Sequence, residues 1–225
     1  MRNKLKSVLW FLLAISLVHC GPPAEEELNS SELSAFPRLS AAWDDSSIPV
    51  CWESSAQGSE FSEEREWVRT KVEGQYESRT NLEFTGWRNC PSSGFQGIRI
   101  GESSGGPHTR GLGRALAGRR NGMMLNFEFE SWSTSCQRNR ERCIKSIAVH
   151  EFGHAIGLAH EHNRPDTPST CTSSRQGTDG DRTVGEWDLF SVMNYCNPTY
   201  NNNGNLTASD VRGINLMYGE ARGRN

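Results

Sequence analysis

The sequence contains no apolar run long enough to cross a membrane as a helix. Its longest such run, residues 8–18, has eleven positions and is interrupted by Ser16, whereas a spanning helix needs about 20. Cationic side chains are not in excess, because 24 Lys and Arg stand against 27 Asp and Glu. The arginines are scattered and form no basic stripe interleaved with aromatics, which argues against a nucleic-acid partner.

Internal repeats and low-complexity tracts are also missing from the 225 residues. With 35% apolar and 23% charged residues, the chain can bury one sizeable core but not two large ones. We therefore predict one folded domain over residues 45–225, which we expect to be monomeric.

The first twenty residues have the layout of an export signal, with a basic start followed by the apolar run. The run leads into Cys20 in a stretch that resembles a bacterial lipoprotein box, although His19 stands where a small residue is usual. We predict a signal segment at 1–20 and a tether or short pro-segment at 21–44. The protein is then exported, and is either anchored to the membrane by a lipid at Cys20 or secreted.

The seven cysteines include no CxxC pair, so a cysteine-rich zinc site has little support. Setting Cys20 aside leaves an even number, which is typical of disulfides in an oxidising compartment. Six cysteines allow fifteen pairings. Proximity in the sequence favours Cys136 with Cys143, Cys171 with Cys196, and Cys51 with Cys90.

Histidine is scarce, with six in the chain, yet four of them fall within residues 150–162. On an α-helix, His150 and His154 lie one turn apart on the same face and can bind one metal ion. Gly157 can end that helix in a left-handed conformation and bring His160 back as a third ligand. Three imidazoles with an open fourth position are typical of catalytic zinc, and Glu151 is then placed to act as a general base on bound water.

The alternative is that these are ordinary helix and loop histidines, which the ordered spacing disfavours. His162 lies outside the ligand spacing, and we expect it to face solvent or to support the ligands.

The motif HExxHxxGxxH resembles that of the metzincin metallopeptidases at every fixed position. Residues 191–195 are similar to the Met-turn of the astacin-like branch, and Glu161 after the third histidine is also similar to astacins. The resemblance implies that Met193 forms an apolar floor under the imidazoles. It also implies that Tyr195 can approach the zinc as an extra ligand and stabilise the oxyanion.

Hydrophobic periodicity and turn residues predict the remaining elements. We expect strands at 48–52, 82–85, 97–100 and 125–130, a helix capped by Ser62 with Val68, Val72 and Tyr76 on its buried face, an active-site helix at 143–156, and a last helix within 206–219 that begins with a capping box formed by Thr207 and Asp210 and ends at Gly219. Gly153 inside the active-site helix suggests a close contact there. The glycine- and arginine-rich residues 103–121 are expected to form an irregular loop.

The resemblance implies an α+β, metzincin-like catalytic domain with a twisted mixed five-stranded sheet, an antiparallel edge strand, an active-site helix and a C-terminal helix. Residues 125–130 are the candidate for the edge strand that pairs with extended substrate. The primed-side pocket, which receives the substrate after the scissile bond, is expected to be walled by about residues 164–190, where Arg175 or Arg182 would favour acidic side chains.

We therefore predict a zinc-dependent endopeptidase that hydrolyses protein or peptide substrates. The alternatives are a catalytically silent, zinc-stabilised surface binding module, and a lipoprotein with a structural or adhesive role. A structural Ca²⁺ at residues 179–181 has weak support, since two acids around a glycine usually form a turn.

Overall fold

The computed structural model describes residues 35–221, so the predicted signal segment, Cys20 and most of the predicted tether lie outside the described residues. The strands are β1 (Ser47–Trp52), β2 (Glu83–Asn89), β3 (Ile98–Glu102), β4 (His108–Thr109) and β5 (Met123–Leu125). The helices are α1 (Ser62–Tyr76), α2 (Thr134–Arg138), α3 (Arg140–Ala155) and α4 (Ala208–Tyr218). Within the described residues, none of these helices is both long and apolar enough to span a bilayer.

The five strands form one sheet in the order β2-β1-β3-β5-β4. All neighbouring pairs are parallel except β4 and β5, which are antiparallel. The predicted α+β class and mixed sheet with one antiparallel edge strand are therefore confirmed. The predicted identity of that edge strand is wrong. The edge strand is β4, which lies inside the segment expected to form an irregular loop.

Residues 125–130 do not form the predicted edge strand, since β5 ends at Leu125 and pairs with neighbours on both sides. The side chain of Asn126 accepts hydrogen bonds from the backbone N–H groups of Glu128 and Phe129 and folds the chain into a turn. Phe127 and Phe129 are fully buried. The alternation of these two buried phenylalanines with Glu128 therefore belongs to a tight turn that packs on the core, and not to a strand.

Helix α1 packs against helix α3. Val68, Val72 and Tyr76 are fully buried as their four-residue spacing predicts. The hydroxyl of Tyr76 donates to the carbonyl oxygen of Val149 at 2.6 Å and ties the end of α1 to α3. Ser62 was expected as the cap, but it is the first helical residue and the N-cap position belongs to Phe61, without a side-chain bond.

The three predicted disulfides, Cys51–Cys90, Cys136–Cys143 and Cys171–Cys196, are all confirmed. The last residues of the segment predicted as a tether or short pro-segment, residues 35–41, pack on the domain. Ala35 pairs with Val184, and Pro37 pairs with Leu158. Ala35 and Phe36 are buried. The short apolar stretch around Phe36, which the composition of the wider segment conceals, provides this packing.

Candidate active site

Helix α3 carries the first two histidines and the glutamate of the motif in its last two turns. Beyond its end, Gly157 has a φ of 108°, which a residue with a side chain rarely adopts. The chain turns back there, with the N–H of Leu158 bonded to the carbonyl oxygen of Gly153 at 2.8 Å. This turn brings His160 to the same site as His150 and His154.

The three imidazoles fit a metal ion by their donor arrangement. Each Nδ1 lies near a backbone carbonyl oxygen: His150 with Val192 at 2.8 Å, His154 with Leu158 at 2.8 Å, and His160 with Gln176 at 3.0 Å. Since a carbonyl only accepts, each Nδ1 carries the proton and each Nε2 keeps its lone pair. The three ligand nitrogens lie within 4.8 Å of one another.

Other contacts among the described residues also favour a metal ion bound by the three Nε2 atoms. The buried Nε2 of His150 has no hydrogen-bond partner there. The Nε2 atoms of His154 and His160 approach each other at 3.1 Å, although both are acceptors in this tautomer. A divalent cation between the three nitrogens would satisfy them all, and this donor set suits zinc.

Burial keeps the three rings neutral, as metal ligation requires. It lowers the pKa of His150 to about 3 and places the pKa of His154 well below the ordinary value. The pKa of His160 is also lowered, mainly by burial. The neighbouring imidazoles reinforce this shift at His150 and His154.

Glu151 lies beside the first ligand with a side chain that is almost fully buried. Its Oε2 has no partner among the described residues. Burial raises the pKa of this carboxyl to about 8, and a hydrogen bond from the backbone of Thr109 in β4 acts in the opposite direction. The carboxyl therefore lies between the edge strand and the histidine cluster.

Met193 packs directly beneath this helix. A Cβ atom built on Gly153 would lie 2.4 Å from the Met193 sulfur, so the glycine is what permits the contact. The close approach expected at Gly153 is therefore present. The carbonyl oxygen of Met193 accepts a hydrogen bond from the N–H of Glu161 at 3.0 Å, which joins the Met-turn to the residue after the third histidine.

A contact that the sequence did not reveal holds the Met-turn in place. Asp210 was expected only as part of the capping box of α4, which is confirmed. Its carboxylate also accepts hydrogen bonds from the Ser191 hydroxyl at 2.6 Å and the Val192 N–H at 3.1 Å. Since the carbonyl of Val192 accepts from His150, the start of α4 helps to orient the first imidazole.

Tyr195 and His162 complete the aromatic cluster. The Tyr195 ring is 42% exposed and stacks on the rings of His150 and His162 at 5.5 and 4.7 Å. His162 is buried rather than exposed to solvent. Its Nδ1 accepts the Tyr195 N–H at 3.3 Å, so its role is to support the tyrosine.

A cavity of about 420 Å³ opens beside His150 and Glu151. Its described walls include Asn194, Tyr195, Asn197, Tyr200 and Asn201 but neither Arg175 nor Arg182, so the expected basic wall is not found there. Arg175 is instead paired with Asp179. Asp181 accepts from the backbone N–H groups of Leu39 and Ser40. These contacts give both acids of the suggested Ca²⁺ site partners within the protein.

Comparisons with known proteins agree with this geometry. The matrixin family model matches residues 101–170, which contain β4, β5, α3 and all three histidines. The segment is less than half of the chain. Nematocyst expressed protein 6 of Nematostella vectensis is 29% identical in a match that covers 34% of this chain and 38% of that protein. The chain therefore matches well under half of that relative's length.

Two solved structures share the fold. The structure of myroilysin aligns with a TM-score of 0.54 at 22% identity and covers 85% of this chain and 99% of that chain. High choriolytic enzyme 1, a hatching enzyme zinc-protease from Oryzias latipes, aligns with a TM-score of 0.50 at 16% identity, covering 80% and 94%. The chain thus has the metzincin fold.

Proposed function

We propose that this chain, which has the metzincin fold and matches the matrixin model over its histidine motif, is a zinc-dependent endopeptidase with Glu151 as its general base. The observation that carries the proposal is the set of three buried Nε2 atoms, each with its Nδ1 held by a backbone carbonyl, beside an unpaired carboxyl oxygen. A purely structural zinc site has four protein ligands and has no use for such a carboxyl.

The chain's own residues supply the binding and proton transfer. A zinc ion in such a site acidifies water and polarises a carbonyl group. Glu151 accepts a proton from the attacking water and delivers it to the leaving amine. Burial raises the pKa of Tyr195 to about 12, so its hydroxyl keeps its proton and can donate a hydrogen bond to the developing oxyanion.

We further propose that β4 binds the main chain of the substrate. This strand is the sheet edge nearest the base, as the contact of Thr109 with Glu151 indicates. An extended peptide that pairs with a strand edge gains affinity from main-chain hydrogen bonds and needs little particular sequence. Protein or peptide substrates fit such a surface.

The three disulfides support an oxidising compartment. We propose an exported protein on this basis, and lipid attachment at Cys20 remains a prediction to be tested by mass spectrometry.

The substitution Glu151→Gln tests the assigned base. It keeps the shape of the side chain but removes the proton acceptor, so we expect stoichiometric zinc to remain bound while kcat/KM for a peptide falls about 10²- to 10⁴-fold. Zinc is measured by elemental analysis and turnover with a quenched peptide. Glu141→Gln is the matched control, because Glu141 lies on the same helix and pairs only with Lys145 at the surface. Undiminished turnover in Glu151→Gln would refute the proposal and favour a different base or a silent binding module.

A further inference from the structure

The cavity beside Glu151 extends along α3 away from the third histidine, because Ile147, one turn before Glu151, forms part of its wall. Trp132, Tyr195 and Tyr200 also line it. Each of these three aromatics is more than 40% exposed, although large apolar side chains elsewhere in the described chain are mostly buried. Exposed aromatics around a cavity of this size are typical of a binding pocket.

The described walls of this cavity are neutral apart from Glu151, with no other Asp or Glu and no Lys or Arg. An anionic side chain that entered the cavity would lose its hydration without gaining a partner of opposite charge, and it would also face Glu151. The walls therefore favour an uncharged side chain over an anionic one of the same shape.

One wall residue offers polar atoms that the protein itself does not use. Asn201 is only 6% exposed and lines the cavity, yet its side-chain amide has no hydrogen-bond partner among residues 35–221. The other two wall asparagines differ, because Asn194 and Asn197 both donate to and accept from the backbone. An amide that is open to the cavity and has no partner within the protein can form hydrogen bonds with a side chain bound there.

The backbone at Asn201 is also unusual. Asn201, Asn202 and Asn203 have φ values of 43°, 47° and 51° in one continuous left-handed turn, whereas non-glycine residues normally adopt this conformation singly. The side chain of Asn202 donates to the Asn205 carbonyl, and that of Asn203 accepts from Arg142. These bonds hold the turn, and strain of this kind concentrates at functional sites.

We infer that this cavity receives the substrate side chain that follows the scissile bond, and that the Asn201 amide selects a carboxamide there, glutamine or asparagine. The inference rests on the proposed peptidase function. A primary amide can donate to the Asn201 oxygen and accept from its nitrogen at the same time. An apolar side chain of equal length fills the cavity but leaves the Asn201 amide unpaired.

The test uses three peptides that differ only at the residue after the scissile bond: Gln, Met of similar length, and Glu of the same shape with a charge. For the unaltered protein we expect kcat/KM about tenfold higher for Gln than for Met, and at least about 100-fold higher for Gln than for Glu. Asn201→Gly keeps the left-handed backbone and removes the amide, so the Gln-to-Met ratio should fall to about one. The matched control is Asn121→Gly, at an asparagine that is also left-handed, with a φ of 48°, but is not among the residues that line the cavity; it should keep the ratio.

Affinities for the same peptides are also measured by calorimetry on Glu151→Gln, which holds a peptide without cleaving it. Equal affinity and turnover for Gln and Met, or no effect of Asn201→Gly on their ratio, would overturn the assigned selectivity while leaving the peptidase intact. If no peptide is cleaved but the Gln peptide still binds more tightly, the proposed hydrolysis fails and the pocket assignment stands. Neither cleavage nor binding would overturn both.

Discussion

Gly153 shows how one side chain, or its absence, decides the geometry of the active site. A glycine inside a helix costs about 1 kcal/mol relative to alanine, yet here it lets the Met193 sulfur approach the helix that carries two histidines. Any Cβ at this position would force the buried Met193 side chain to move. The unfavourable helix propensity is thus offset by packing against Met193.

We expect Gly153→Ala to destabilise the fold by about 1–3 kcal/mol, because the added methyl overpacks the contact with Met193. It should also weaken zinc binding, since the displaced Met193 side chain packs against the helix that carries His150 and His154. Gly74→Ala in α1 is the control, because a Cβ there meets nothing within 4 Å; it should stabilise the fold by about 0.4–1 kcal/mol. Urea denaturation and competition with a zinc chelator measure both effects. A Gly153→Ala protein as stable as the Gly74→Ala protein would contradict this account of Met193.

Helix α4 has a second role beyond closing the domain, because its capping carboxylate also holds the Met-turn. Asp210 accepts from Ser191 and Val192 in the turn as well as from the backbone of Thr207 at the cap. The cap hydroxyl of Thr207 bonds only the N–H of Asp210. Loss of the Thr207 hydroxyl should therefore affect only the stability of the helix, whereas a change at Asp210 should also affect the geometry of the site.

We expect Asp210→Asn to weaken both the fold and zinc binding, since an amide replaces one of two accepting oxygens in a buried network. The loss of stability should be about 2–4 kcal/mol. Thr207→Ala should cost about 1 kcal/mol and leave zinc affinity unchanged. Unfolding free energies and chelator competition compare the variants. Equal zinc affinities in Asp210→Asn and the unaltered protein would show that the Met-turn holds its position without α4.

The elements that could be predicted from the sequence are those set by local chemistry. The spacing of Val68, Val72 and Tyr76 predicts α1, and Thr207 with Asp210 predicts the start of α4. The histidine spacing likewise predicts the cluster that the structure brings together. Strand β4 could not be predicted, because two residues in a glycine-rich loop carry no periodicity and pair only through the tertiary fold. The contacts of Asp210 and Asn201 also depend on residues brought together from distant parts of the chain.

Across the whole molecule, residues 35–40 connect the start of the domain to the metal site. The N–H of Arg38 bonds to the carbonyl of Gly157, and the carbonyl of Phe36 accepts from Ala159, so this segment pairs with the stretch between the second and third histidines. Its other side contacts residues 180–184. The end of the segment predicted as a tether or short pro-segment therefore supports the loop that positions His160.

Arg164 connects Ala35, Val184 and the residue after the third histidine. Its side chain is fully buried and pairs with Glu161, the residue after the third histidine, at 3.2 Å. The same guanidinium donates to the carbonyl oxygens of Ala35 and Val184 and forms two bonds with Asp166. A planar guanidinium can reach partners in several directions at once, which the single ammonium of lysine cannot.

We therefore expect Arg164→Lys to destabilise the protein by about 2–4 kcal/mol, because it keeps the charge but leaves buried acceptors unsatisfied. Arg175→Lys is the matched control, since the Arg175–Asp179 pair is about half exposed; it should change stability by less than about 1 kcal/mol. Thermal and urea unfolding measure the difference. Proteolysis should report the same change locally, with cleavage near residues 35–40 accelerated only in Arg164→Lys, because that segment loses the guanidinium that holds Ala35. Equal stability and equal cleavage in the two variants would mean that backbone pairing alone holds the segment beside the third histidine.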